Sequence, residues 1–264
     1  MDFGLVVIGD EILSGKRIDK HLPKLIELLA ARGLSLSWAR HVGDDPERIT
    51  RDLRDAFVSG DVVFSCGGIG ATPDDHTRQC AAAALQRPLL LHPEARELIL
   101  ERMRDVAAEN NLPYEPERSD NLHRLNMGVF PEGASLIPNP YNKIAGFTVD
   151  HVHFVPGFPV MAWPMMEWVL DTQYAHLHQQ QARIEKSVIV FGSMEAALTP
   201  LMEDIEARFA GVKVFSLPSV DHPEYGRHIE LGVKGDASRL DAAYRALLDG
   251  LAAQDAKLGP EMVR

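Results

Sequence analysis

The chain has 264 residues, of which 45% are hydrophobic and 25% charged, with a formal charge of −11. At roughly 100–200 residues per domain this makes one large domain or two smaller ones, with enough apolar material for a core. The acidic balance argues against a protein that grips nucleic acid through clustered Lys and Arg. It leaves phosphate-bearing small ligands open, since backbone N–H groups and a metal can hold them. The two cysteines, Cys66 and Cys80, form no CxxC pair. That rules out a zinc ribbon or disulfide scaffold and suits a reducing cytoplasm. The apolar run Leu5-Val6-Val7-Ile8, ended by Gly9-Asp10-Glu11, is too short for a signal-peptide core or a membrane span. The expectation is a soluble cytoplasmic protein with neither a nucleic-acid nor a membrane partner.

In chain order, residues 5–8 read as a buried parallel strand. Residues 19–32 follow with Leu22, Leu25, Ile26 and Leu29 at helical spacing, stopped by Gly33. Residues 34–42 predict a second strand. Asp45-Pro46 then opens a helix whose apolar face is Ile49, Leu53 and Phe57. Residues 61–65 predict a third strand running into Cys66-Gly67-Gly68-Ile69-Gly70, and 75–85 and 93–111 predict helices. The alternation is that of a parallel α/β sheet. Short runs at 136–140, 145–149 and 152–155 are expected to complete it. Residues 160–175 form a helix whose Met and aromatic content fits core packing better than a cofactor role. The polar stretch 176–183 predicts a linker. Beyond it come a strand at 184–191, a helix at 194–209, strands at 212–217 and 227–233, a helix at 237–253 and a frayed tail from Gln254. This order suits a small α+β unit. Two domains are therefore expected, at 1–175 and 183–254.

Three clusters fall just past strand ends, where open α/β sheets keep their ligands. In Gly9-Asp10-Glu11-Ile12-Leu13-Ser14-Gly15, carboxylates suited to a divalent cation stand beside glycines that admit a ligand to the backbone. The plainer alternative is a capped helix start. In Cys66-Gly67-Gly68-Ile69-Gly70-Ala71-Thr72-Pro73-Asp74-Asp75-His76-Thr77, successive N–H groups can form an anion nest and Asp74-Asp75 offer oxygen ligands. Here the alternative is that Asp75 caps the helix. This is neither the dinucleotide GxGxxG nor a Walker loop. The third cluster, Asn139-Pro140-Tyr141-Asn142-Lys143-Ile144-Ala145-Gly146-Phe147 with Pro156-Gly157-Phe158-Pro159, supplies turns and the donors Asn139 and Lys143. Ordinary turn chemistry accounts for it equally.

The first two motifs and Pro156-Gly157-Phe158-Pro159 resemble the three signatures of the CinA (competence/damage-inducible) N-terminal domain, of the MoaB/Mog molybdopterin-binding superfamily. The resemblance covers residues 1–172. It implies a three-layer α/β/α, mostly parallel sheet followed by a small KH-like α+β domain, and a homo-oligomer; the deamidase domain of full-length CinA proteins is not matched, so deamidation is not part of the expectation. It also implies a site for a pterin such as molybdopterin or an adenine nucleotide, with a divalent metal (Mg, Mn or Co). By motif, Gly9, Asp10, Ser14, Gly67, Gly68, Gly70, Thr72, Asn139, Lys143 and Gly157 are expected to bind ligand. Asp10, Asp74 and Asp75 are expected at the metal, and Glu11 and Asp75 in catalysis. The chain departs from the family in having Cys66 where Thr is usual, Ala71 where Pro is usual, and Ile18-Asp19-Lys20-His21 in place of an Asp-Thr-Asn run. The turn from Asn139 lacks the usual Gly-Thr-Ala-Pro-Gly sequence.

The expected function is molybdopterin or nucleotide binding at a metal-assisted phosphoanhydride site. Alternatives are a metal-dependent ADP-ribose pyrophosphatase, a binding module without turnover, and a scaffold whose site has decayed. Weaker signals are set against simpler readings. His151-Val152-His153 puts two imidazoles on one strand face, more simply an exposed face than a metal site. Gly232-Val233-Lys234-Gly235 fits the GxxG clamp of KH domains but falls at a strand end, and residues 181–264 carry ten Lys/Arg against thirteen Asp/Glu. Cys66, after a buried strand, suits packing better than nucleophilic attack.

Overall fold

The computed structural model describes residues 2–178 and 183–264. The chain forms two compact units, Met1–His178 and Gln179–Arg264.

In the first unit the elements run β1 (Phe3–Ile8), α1 (Asp10–Leu13), α2 (His21–Ala30), β2 (Leu36–Val42), α3 (Pro46–Ser59), β3 (Val62–Cys66), α4 (Thr77–Leu85), β4 (Leu89–Leu91), α5 (Pro93–Glu109), α6 (Ser119–Arg124), β5 (Val129–Pro131), β6 (Ser135–Ile137), β7 (Gly146–Val149), β8 (Val152–Val155) and α7 (Pro159–Gln173). Six strands make one sheet in the order β2-β1-β3-β8-β7-β6. The first four are mutually parallel, while β7 runs against β8 and β6 against β7.

Period-two alternation sends alternate side chains of each strand to opposite faces. Phe3, Leu5 and Val7 meet Leu25, Leu28 and Leu29 of α2 and Ala162, Met165, Met166 and Val169 of α7. Val6, Ile8 and Val63 meet Ile49, Leu53 and Ala56 of α3 and Ala81 of α4. The result is the expected α/β/α layering. The methionines of α7 are core, with Met165 and Met166 fully buried. Phe130, Phe147 and Phe154 stack in series, with ring centroids 4.5 and 4.4 Å apart. Asp45 caps α3 as expected, its side chain accepting from the Arg48 N–H at 2.8 Å.

The second unit runs β9 (Arg183–Phe191), α8 (Glu195–Arg208), β10 (Lys213–His222), β11 (Gly226–Asp236), α9 (Ala237–Ala253) and β12 (Lys257–Val263). Its antiparallel sheet, ordered β10-β11-β9-β12, is covered by Leu198 and Ile205 of α8 and Leu240, Tyr244 and Leu247 of α9.

Three expectations are corrected. The tail past Gln254 is not frayed, because β12 pairs with β9 from Lys257↔Phe191 to Val263↔Lys186. His153 is fully buried rather than on an exposed face, and is hydrogen-bonded to Thr148 Oγ1 and Tyr174 Oη, both at 2.8 Å. His151 stands just before β8, with its Nε2 3.2 Å from the Ala56 carbonyl. Gly232-Val233-Lys234-Gly235 lies within β11, paired on both sides, so it is no loop clamp. Of the expected linker, Ala175–Leu177 is a short 3-10 turn and Arg183 already belongs to β9; residues 179–182 lie outside the described residues.

Candidate functional site

Parallel pairing aligns strand ends. Val7 faces His41 of β2 and Cys66 of β3, and Cys66 faces Val155 of β8. The segments after β2, β1, β3 and β8 therefore leave the sheet side by side, at the edge where α/β proteins hold ligands. The acidic turn and the glycine loop, nearly sixty residues apart in sequence, converge there. The turn between β6 and β7 reaches the same edge, since Ile137 faces Gly146 and Phe147 faces Phe154.

At the centre is the loop after β3. The Gly67 N–H donates to Val155 O at 3.0 Å, continuing the sheet, and the chain then turns through φ values of 104° and 67° at Gly67 and Gly68. A Cβ on Gly67 would come within 2.3 Å of the Ile8 carbonyl oxygen. Only glycine allows both this conformation and this approach. Buried Thr77, at the start of α4, fastens the loop by donating its hydroxyl to Gly67 O and its N–H to Gly68 O, each at 3.0 Å. Farther on, Asp75 Oδ2 accepts from both the N–H (2.8 Å) and the hydroxyl (2.5 Å) of Thr72. Between these fastenings the N–H groups of Gly68, Ile69, Gly70 and Ala71 donate to no acceptor among the described residues. Successive unpaired amides at a strand-to-helix turn favour an oxyanion.

The acidic side is built by reciprocal bonding. The Asp10 N–H donates to Asp44 Oδ2 at 2.9 Å, and the Asp44 N–H to Asp10 Oδ1 at 3.1 Å. Gly43 is pressed against this pair, since its Cβ would lie 2.5 Å from Asp10 Oδ1. Burial pushes the Asp44 carboxyl above its ordinary pKa; the Asp10 N–H opposes this, while the charges of Asp10, Glu11 and Asp74 add to it. Hydrogen bonding within the 72–74 turn holds the exposed Asp74 carboxyl below its usual range. The Glu11 carboxylate folds back over Gly9, its Oε2 3.5 Å from where a Cβ there would stand. The Gly9 N–H donates to Val42 O at 2.9 Å.

The other expected residues are placed as follows. Ser14 donates weakly to Glu11 O at 3.4 Å, within its own turn. Gly157 lies against Gly67, since a Cβ on Gly157 would stand 3.4 Å from Gly67 Cα, and its carbonyl accepts from His21 Nε2–H at 3.1 Å. Asn139 is buried and spent on its turn, donating to Asn142 Oδ1 and Ile144 O and accepting from the Tyr141 N–H. The Lys143 ammonium is committed to Glu101 (2.6 Å) and Asp105 (2.7 Å) of α5. Burial pushes the Cys66 thiol well up, which suits its packing role.

Asp44, His21 and Thr77 are site residues that motif reading did not assign. Asp44 sits beside the helix-capping Asp45, and its bond to Asp10 spans 34 residues. His21 is buried and its pKa is lowered by that burial. With Nε2 donating to Gly157, its Nδ1 is an acceptor without a partner among the described residues. Thr77 closes the glycine motif, so its hydroxyl was in view, but the fastening depends on how α4 returns to the loop.

Whether these carboxylates suit a divalent cation rests on their chemistry. Among the described residues no three His, Cys, Asp or Glu side chains gather as a complete ligand set. Asp10 and Asp44 each spend one carboxylate oxygen on the other's N–H and keep the second. A Mg²⁺-like ion commonly takes only one or two carboxylates and completes its shell with water and substrate phosphate, so these two oxygens meet its minimum and no more.

A mostly parallel sheet covered on both faces, with an amide-bearing glycine loop at its carboxyl edge, is the class of α/β unit whose members hold ligands at that edge. The chain belongs to the family described as "Probable molybdopterin binding domain", whose model matches residues 4–176. It is similar to a CinA-like protein of Syntrophotalea carbinolica, 30% identical over 220 residues, covering 79% of this chain and 51% of that one. A CinA-like protein of Anaeromyxobacter dehalogenans is 31% identical over 220 residues, covering 81% and 51%. The chain thus spans about half the length of these relatives. The crystal structure of CinA from Thermoplasma acidophilum shares the fold, with a TM-score of 0.55 at 22% identity over 65% of this chain and 98% of that one. No helix among the described residues is long and apolar enough to cross a membrane.

Proposed function

We propose that the first unit binds a phosphate-bearing pterin or adenine nucleotide at the carboxyl edge of its sheet, and that it hydrolyses a phosphoanhydride of the ADP-ribose type. The observation that carries this reading is the run of unpaired amides from Gly68 to Ala71, held open by Gly67 and Thr77. These amides would receive phosphate oxygens and the charge that builds on them during attack. Asp10 and Asp44 would hold the divalent cation, which when bound would neutralise diphosphate charge. Glu11, folded over Gly9, would take a proton from the attacking water. The new P–O bond forms as the bridging P–O bond breaks, so ADP-ribose and water give AMP and ribose 5-phosphate.

A second reading, binding without turnover, is favoured by the Asp10–Asp44 lock, which spends an oxygen of each carboxylate on a backbone amide. Calorimetry with AMP and ADP-ribose, with and without Mg²⁺, Mn²⁺ or Co²⁺, joined to product analysis, separates the two. Hydrolysis requires AMP release that falls at least about a hundredfold in Asp44→Asn while binding persists. Binding with no product supports the second reading. No binding of either nucleotide overturns both.

A further inference from the structure

The segment that follows the glycine loop lines a groove of about 450 Å³, within the range of small-molecule sites. Its lining includes Thr72, Asp75, His76, Arg78, Asn126 and Val129. Arg78 is only 4% exposed, in the first turn of α4. Its one hydrogen bond among the described residues runs from Nη1 to Ile69 O at 2.9 Å, so its remaining donors are unspent. Burial lowers its pKa, and Asp75, whose Oδ2 is occupied by Thr72, only partly offsets this. Its remaining nitrogens are not sealed from solvent, and a guanidinium is shaped to take two oxygens of one oxyanion.

We infer that this groove is a second anion subsite, in which Arg78 receives a phosphate or carboxylate group of the same ligand whose first phosphate lies on the Gly68–Ala71 amides. The inference rests on the binding reading above and extends it: the ligand carries two anionic groups, one at the amides and one in the groove. Because Arg78 holds the Ile69 carbonyl, an anion in the groove also steadies the loop that presents the amides.

The test is a titration of the full chain with inorganic phosphate, pyrophosphate and citrate, followed by ¹⁵N NMR of the Arg78 Nε–Hε group and of the Gly68–Ala71 amides. Arg78→Lys and Arg78→Gln are titrated in parallel. The expected result is that both sets of signals shift. Pyrophosphate affinity then drops at least about tenfold in Arg78→Gln and less in Arg78→Lys. Citrate moving Arg78 while phosphate does not makes the group a carboxylate. If the amides respond while Arg78 stays unmoved and Arg78→Lys binds like wild type, the second subsite is overturned and the first reading stands. If Arg78 responds and the amides do not, the groove is an anion site and the amide reading fails. Silence from both overturns both. The wild-type signals decide the matter even if Arg78→Gln does not fold.

Discussion

Gly67→Ala is expected to destabilise the first unit by about 3–5 kcal/mol. Two causes add: a residue with a side chain is strained at φ 104°, and its Cβ would be driven to 2.3 Å from Ile8 O. The neighbour is backbone of a fully buried strand, so relief means prising β3 from β1. Gly60→Ala is the control. Gly60 also has positive φ, 74°, but nothing stands within 4 Å of its Cβ position, so only the backbone cost of about 1 kcal/mol applies. All three tryptophans, Trp38, Trp163 and Trp168, belong to the first unit, so their fluorescence during urea unfolding follows that unit alone. Equal losses in the two variants would show that the Gly67 approach is not the constraint argued here.

The second large effect concerns acid. His153 is sealed between Thr148 and Tyr174, and burial, with a smaller contribution from His151, lowers its pKa to about 3. The unfolded chain takes up this proton below about pH 6.5, whereas the folded chain refuses it until about pH 3. The unfolded state therefore binds more protons across that window, and stability falls as pH drops through it. Above pH 6.5 the contribution is constant. The loss amounts to about 2 kcal/mol at pH 5 and approaches about 5 kcal/mol near pH 3. His21, also lowered by burial, acts in the same direction. Urea unfolding at pH 7 and pH 5 should show His153→Gln losing about 2 kcal/mol less than wild type over that interval. Identical losses would mean that His153 accepts a proton in the folded state.

These two positions mark the reach of sequence reading. The glycine loop was legible because its constraint is local: a buried strand ending in paired glycines leaves few conformations. The sheet and its two helical layers were legible for the same reason, since periodicity of two and of 3.6 is written along each segment. His153 was misread because alternation alone does not say which faces a strand buries, and β8 is covered on both. β12 was missed because Gly259 and Pro260 interrupt its propensity; it is held by β9, with its register shifted between Leu258 and Glu261. The short β4–β5 pair carries too few residues to signal itself. Asp44 and Arg78 share one difficulty. Each looks like solvated charge in sequence, and each gains its place from chain far away or from a turn that only the fold creates.

Everything proposed for the site depends on the amides of residues 68–71 being where ligand phosphate lands. Hydrogen–deuterium exchange of the whole chain, with and without ADP-ribose and Mg²⁺, tests this at peptide level. The predicted result is slowed exchange in peptides spanning 67–75 and 9–14, with those of β9 to β12 unchanged. Ligand-dependent protection confined to other segments, with 67–75 exchanging as fast as in the free protein, would contradict it.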